Sequence, residues 1–344
     1  KTIIKRSMAE ERYSGDKIVR AMEKAFTSVG IVQDADLIAD LLRQVEAEFA
    51  DRDQAGVEEI QDTVERVMMA NGCFDVAKSY ILYREKRAEM RKIRETLVAE
   101  ISDKNLLPVL DSIQSSYDHY DLTRLEAKYI AMQKPDSTID ARLELLTKSA
   151  AELTTQEEPN WEKIAGRLLY YTFSRELKKT EENYGLTSFY EKLRYLTSEG
   201  LYGKYILESY SKKEIEEAFE FIDDERNNLY TYAGLDLLIS RYLIHNRSHV
   251  VLESPQEMYL GIALHLAMNE GEDRLTWVRK FYDIMSLQKV TMATPTQSNA
   301  RKPYHQLSSC FIDTVPDSLD GIYSSVSKFA DVSKFGGGMG MYFG

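Results

Sequence analysis

The sequence predicts a mostly α-helical chain that opens on a small β-strand cap and turns to mixed α/β structure only near its end. Three observations predict this. Apolar residues recur at helical spacing through most of residues 1–290, and helix-start signals punctuate that stretch. Beyond about residue 290, Pro295, Pro303 and Pro316 divide the chain into short apolar runs between turn residues, segments too short for helices. With 344 residues, 43% hydrophobic and 29% charged, the chain is long enough for two or three domains with cores of their own.

Residues 1–95 read as one unit. Thr2-Ile3-Ile4-Lys5-Arg6 and a second piece around Arg12-Tyr13 suggest a hairpin, and Ser14 is placed to cap a helix that carries Asp16 in its first turn. Ile18, Val19, Met22, Ala25, Phe26 and Val29 give that helix one apolar face, and further helices are expected at about 35–50, 57–71 and 74–95. Six basic side chains oppose three acidic ones among the first 20 residues, although the whole chain carries a net charge of −12. The overall charge argues against a general nucleic-acid surface, whereas a local basic cluster beside a helix N-terminus suits a polyphosphate. A solvated helix face is the plain alternative.

Residues 96–290 read as an all-α domain. Ser211 followed by Glu214, and Ser254-Pro255-Gln256-Glu257, are capping boxes ahead of apolar faces, the second with proline in the first turn. Phe219, Tyr230, Tyr232 and Tyr242 read as core aromatics. His245 and His249, four apart, lack the acidic motif of a metal-binding helix, so no metal is expected. Residues 291–344 form the third segment. There a strand-like run at Cys310-Phe311-Ile312 follows Ser308-Ser309, a helix is expected after Asp317 through Ile322, Val326, Phe329 and Val332, and Gly336-Gly337-Gly338 lacks the spacing of a P-loop and suits close backbone approach instead. The chain has two cysteines, Cys73 and Cys310. They form no disulfide framework, and with no apolar run long enough for a membrane span and no signal-peptide pattern, a cytoplasmic protein is expected.

Four strings in order, Thr294-Pro295-Thr296, Gln306-Leu307-Ser308-Ser309-Cys310, Asp317-Ser318-Leu319-Asp320-Gly321-Ile322 and Ser333-Lys334 with Gly337-Gly338-Met339-Gly340, resemble the large catalytic chain of ribonucleotide reductase. Lys5-Arg6, Glu11, Asp16-Lys17-Ile18 and Tyr83-Arg84-Glu85-Lys86-Arg87 resemble the ATP-cone, a regulatory domain at the front of many such chains; the usual Asp-Gly after Lys-Arg is here Ser7-Met8. Asp223-Asp224-Glu225-Arg226, Arg241-Tyr242-Leu243 and Glu253-Ser254-Pro255-Gln256 resemble the helical domain between the two, so the resemblance covers nearly the whole chain.

The resemblance implies an ATP-cone (a helical bundle with a small β-sheet cap), an all-α domain and the first elements of a ten-stranded α/β barrel. It implies ATP or dATP at an activity site of Lys5, Arg6, Glu11, Lys17, Ile18 and Lys86, and a ribonucleotide held by Thr294 and Ser309. Cys310 would be one of two reducing cysteines, and Asp317 and Lys334 would hold a deoxynucleotide specificity effector. It also implies a radical-generating, metal-bearing small (beta) subunit, a thioredoxin- or glutaredoxin-type reductant, a homo-oligomer, and the rest of the large subunit, in a second polypeptide or a longer chain, without which no turnover is expected. A cobalamin-dependent member of the family, a nucleotide-sensing module without catalysis, and a helical interaction protein that binds no nucleotide are the other readings.

Overall fold

Apolar spacing in the first hundred residues produces four helices, α1 (Gly15–Ser28), α2 (Ala35–Glu48), α3 (Val57–Ala70) and α4 (Phe74–Ile101). Their inward faces meet in one core of Ile18, Met22, Phe26, Leu41, Val45, Val64, Met68 and Ala77, where Met22, Leu41 and Met68 are fully buried. The computed structural model describes residues 1–4, 10–32 and 34–343, and divides the chain into two units, Lys1–Thr96 and Leu97–Gly344. Lys5 and Arg6 lie outside the described residues.

The expected hairpin is present as β1 (Thr2–Ile4) paired antiparallel with β2 (Glu10–Arg12). A third strand, β3 (Gln54–Gly56), pairs parallel with β1 and gives the order β2-β1-β3. Two details differ from the sequence reading. Ser14 makes no side-chain capping bond, and α4 runs to Ile101 rather than ending near 95 because Ile93, Leu97 and Ile101 continue its buried face.

The second unit is helical from α5 (Leu106–Ser116) through α6 (Leu122–Met132), α7 (Ile139–Ala151), α8 (Trp161–Tyr184), α9 (Phe189–Ser198), α10 (Lys204–Ser209) and α11 (Lys212–Phe219). After these come α12 (Tyr232–Leu237), which runs into a π-helical turn at Leu238–Tyr242, then α13 (Pro255–Ala267) and α14 (Arg274–Ser286). Both capping boxes form, on α11 and α13. All but one residue of α13 are buried, so this helix is the axis around which the unit packs. Of the four aromatics assigned to the core, Tyr230 is buried, Tyr232 and Tyr242 are half-buried, and Phe219 is exposed but stacks on the buried Phe189. His245 and His249 share no helix: His245 bridges to Val251, and His249 sits in a turn at φ +60°.

Beyond residue 290 the segment around Pro295 is helical after all, as α15 (Thr294–Asn299). Proline at the second helical position costs no hydrogen bond there, because the first turn has no acceptor for its N–H. Next come β4 (Cys310–Val315), α16 (Leu319–Lys334) and β5 (Gly338–Phe343), a β-α-β unit whose strands pair in parallel with Cys310 opposite Gly338. Among the described residues no helix is long and apolar enough to cross a membrane.

Candidate functional site

Two cavities in the first unit are both lined in part by α1 and α3. One, of about 290 Å³, is largely apolar, lined by Ile3, Tyr13, Ile18, Val45, Phe49 and Ile60, with Lys1, Glu46, Arg52, Asp53 and Gln54 also in its lining. The other, of about 380 Å³, is lined by Lys17, Arg20, Lys24, Gln61, Tyr80, Tyr83, Arg84, Arg87 and Arg91. Helices α1 and α3 each place consecutive residues in the two cavities. Ile18 and Ile60 face the apolar one, Lys17 and Gln61 the basic one. Successive helical side chains diverge by about 100°, so each helix can present a dry side and a charged side to one ligand.

The basic cavity has six cationic side chains in its lining and no carboxylate. Lys17 donates to Glu11 Oε1 at 2.6 Å, which joins two of the residues expected at the activity site. Arg84 is held in place by Glu58, Asp62 and Glu65 at 2.5–2.8 Å; burial would lower its pKa, and Asp62 and Glu65 outweigh that and raise it. Arg87 donates to Tyr83 Oη at 3.0 Å. Lys86 is exposed on α4 and is not in the lining. The sequence reading gave no site role to Arg20, Lys24, Arg84, Arg87 or Arg91, although Arg84 and Arg87 stand in the string that resembles the ATP-cone. Their signal was present: 17/20/24 and 84/87/91 both follow i, i+3, i+7 spacing, one face of each helix.

In the second unit, Cys310 begins β4 as an exposed free thiol. Phe311, Asp313 and Val315 alternate toward α16, as the Asp313–Lys328 approach at 3.7 Å shows, which leaves Cys310, Ile312 and Thr314 on the opposite, open face. The partner of Cys310 on β5 is Gly338, so the paired position on β5 brings no side chain to the thiol. Gly338 N–H donates to Ser309 O at 2.8 Å, and Ser309 Oγ lies 3.5 Å from Sγ. Gly337 has a steric reason to be glycine: a Cβ there would come within 2.7 Å of Val332 and 2.9 Å of Phe311. Gly336, at φ +82°, makes the turn before it.

Thr294 opens α15 with its Oγ1 3.3 Å from Tyr242 Oη. Helix α15 is tied to the loop that leads into β4 and to the turn after α16, since Asn299 Nδ2 donates to Gln306 O at 3.0 Å and to Phe335 O at 2.9 Å. Thr294, Ser309 and Cys310 thus lie along one stretch of chain, which Asn299 braces. Beneath it, Arg301 is wholly buried. Its Nε lies 3.0 and 3.1 Å from the Glu253 carboxylate, and its Nη1 and Nη2 donate to Gln297 O and Tyr242 O. Glu253 also accepts from Ile244 N–H at 2.7 Å. Burial alone would lower the Arg301 pKa; Glu253 outweighs it, and the guanidinium stays charged.

Asp317 and Lys334 are not brought together within the chain. Asp317 precedes α16 and Lys334 is its last residue. Sixteen residues at about 1.5 Å each put them roughly 24 Å apart. No group of three or more His, Cys, Asp or Glu side chains among the described residues is placed to hold a metal ion.

Three family models match consecutive parts of the chain: the ATP cone domain over residues 1–89, the ribonucleotide reductase all-alpha domain over 228–305, and the ribonucleotide reductase barrel domain over 308–344. The chain belongs to the ribonucleotide reductase large-subunit family. Among reductase relatives, the ribonucleoside-diphosphate reductase subunit alpha of Treponema pallidum is 48% identical over 99% of this chain and 42% of its own length. The Chlamydia muridarum subunit alpha is 29% identical over 98% of this chain and 35% of its own. Subunit alpha of the Escherichia coli ribonucleoside-diphosphate reductase 1 is 31% identical over 58% and 26%. The chain thus spans less than half the length of these reductase relatives. The expected order of ATP-cone, helical domain and barrel start is the order of the family matches.

Proposed function

We propose that this chain is the front part of a ribonucleoside-diphosphate reductase catalytic subunit, in which the first unit senses ATP and dATP and Cys310 supplies one of the two reducing thiols. The observation that carries the catalytic half is the setting of Cys310: an exposed thiol on an open sheet face, paired with Gly338, on a strand whose preceding loop is hydrogen-bonded to the Thr294 helix. Reduction removes the substrate's 2′-hydroxyl as water. Two thiols supply the two electrons and close to a disulfide, so the reaction balances without a further reductant within one turnover. Cys310 is the only cysteine of residues 291–344 and Cys73 belongs to the first unit, so the partner thiol, the thiyl radical and its small-subunit source come from elsewhere in the enzyme. The metal belongs to that small subunit, and a thioredoxin- or glutaredoxin-type protein reopens the disulfide.

In the first unit, the base of the nucleotide enters the apolar cavity beside Ile18 and Ile60, and its phosphates lie toward Lys17 and Arg87. The consecutive pairs Lys17-Ile18 and Ile60-Gln61 support this placement. Lys17→Ala is expected to weaken dATP binding by about 10- to 100-fold, the loss of one charge-assisted contact worth roughly 1.5–3 kcal/mol. Titration calorimetry of wild type and variant tests this; equal affinities would remove Lys17 from the site.

The specificity effector needs a second chain. Asp317 and Lys334, at opposite ends of α16, can reach one nucleotide together only if two α16 helices lie side by side and antiparallel. The exposed apolar stripe of Leu319, Ile322, Tyr323, Val326 and Phe329 on α16 supports that pairing.

A further inference from the structure

A third cavity, of about 270 Å³, opens where the loop after α9, the 244–251 hairpin, the chain after α15 and the end of α16 meet. Gly200 and Leu201 form one side, Ile244 and His245 a second, and Tyr304 with Phe335 a third. The lining contains Lys302 and no carboxylate. None of the residues assigned above to substrate, effector or redox chemistry belongs to it.

Lys302 is half-buried, and its ammonium has no ion-pair partner among the described residues. The adjacent Arg301 has already taken Glu253, the nearest buried carboxylate. Burial first, and Arg301 second, lower the Lys302 pKa from the usual lysine value, with Glu253 opposing them. Such a cation lacks its counter-ion.

The backbone beneath Lys302 is fixed. Its N–H donates to Asn299 O at 2.9 Å and its carbonyl accepts from Tyr205 Oη at 3.2 Å. The carbonyl of Arg301 is captured by Gly203 N–H at 2.8 Å. His265, buried and with its pKa lowered to about 4 by burial and by His305, stays neutral and holds Tyr205 Oη at 3.0 Å. The wall opposite is also set, by the Tyr304–Phe335 ring contact at 5.5 Å and by Asn299 Nδ2 on Phe335 O. His245 has its Nδ1 2.8 Å from Leu243 O, so that nitrogen carries a proton and donates to the carbonyl, which leaves Nε2 for a ligand.

We propose that this cavity is an anion site that takes a phosphate group, free or as the end of a nucleotide, with Lys302 as its charged anchor and His245 as its second polar contact. The site lies on the segment that leads from α15 into the Cys310 strand, so an occupant would bear on that segment's position. The inference rests on the cavity and the uncompensated lysine, and stands whether or not the reductase reading holds.

The test is the rate at which an amine-selective acylating reagent labels each lysine of the whole chain, read by peptide mass spectrometry, with and without inorganic phosphate, pyrophosphate or a ribonucleoside diphosphate. Lys302 labelling is expected to slow at least about fivefold at saturating ligand, while the exposed Lys204 and Lys212 keep their rates. Protection by the nucleoside diphosphate at lower concentration than by phosphate assigns the site to a nucleotide end; equal concentrations assign it to free phosphate. Unchanged Lys302 labelling with all three probes overturns the proposal.

Discussion

Replacing Glu253 by alanine is expected to destabilise the second unit by about 3–5 kcal/mol, the cost of leaving a buried charge without its partner. Arg301 is fully buried, and Glu253 is its only carboxylate contact among the described residues. Without Glu253 the guanidinium keeps the carbonyls of Gln297 and Tyr242, which satisfy donors but do not neutralise the charge. The Ile244 N–H also loses its acceptor. A double variant, Glu253→Leu with Arg301→Met, removes both charges and is expected to lose much less, since a buried pair replaced by apolar groups of similar volume is often close to neutral. Both tryptophans, Trp161 and Trp277, lie in the second unit, so their fluorescence in a urea titration follows that unit alone. A single-variant loss below about 1 kcal/mol would mean that water reaches Arg301 and that the pair is not the brace described here.

Cys310→Ser carries the largest expected effect on activity. In the complete enzyme, deoxynucleotide formation should fall at least about a thousandfold, because a serine hydroxyl cannot give up the electrons that close a disulfide. Binding of dATP should be unchanged, since the activity site proposed above lies in the first unit and Cys310 in the second. The change is small in volume, and the side chain is exposed, so the fold should survive it. Cys73→Ser serves as the control. That thiol is half-buried against the first unit's core and points at the Asn71 carbonyl at 3.8 Å, and its replacement should leave turnover intact. A Cys310→Ser enzyme that still reduces ribonucleotides at the wild-type rate would remove Cys310 from the reducing pair.

Much of the fold was legible because its signals are local. The apolar stripes of α1 to α3 and the capping boxes at Ser211 and Ser254 depend on residues within one or two turns of each other, and the structure shows each of them. Strand β3 was not legible: Gln54-Ala55-Gly56 has no alternation, and only its parallel pairing with β1, some fifty residues away, makes it a strand. Helix α15 was missed because proline was read as a breaker, although it stands in the first turn.

The candidate sites divide in the same way. Cys310, Ser309 and Thr294 were named from short strings, and the structure adds what strings cannot hold: which face of β4 carries the thiol, and that a glycine stands across from it. The basic faces 17/20/24 and 84/87/91 were readable at helical spacing, yet nothing in the sequence says that they line one cavity. The Arg301–Glu253 pair was invisible, because a loop arginine and an acid 48 residues before it give no sign of burial.

The central claim is that Cys310 is oxidised as ribonucleotide is reduced. The most direct measurement is a single turnover of the complete, pre-reduced enzyme with substrate, effector and small subunit but no external reductant, followed by alkylation and disulfide mapping. The account predicts about one Cys310-containing disulfide per deoxynucleotide formed, with Cys73 still a free thiol. Deoxynucleotide formed while Cys310 remains fully alkylatable would contradict it.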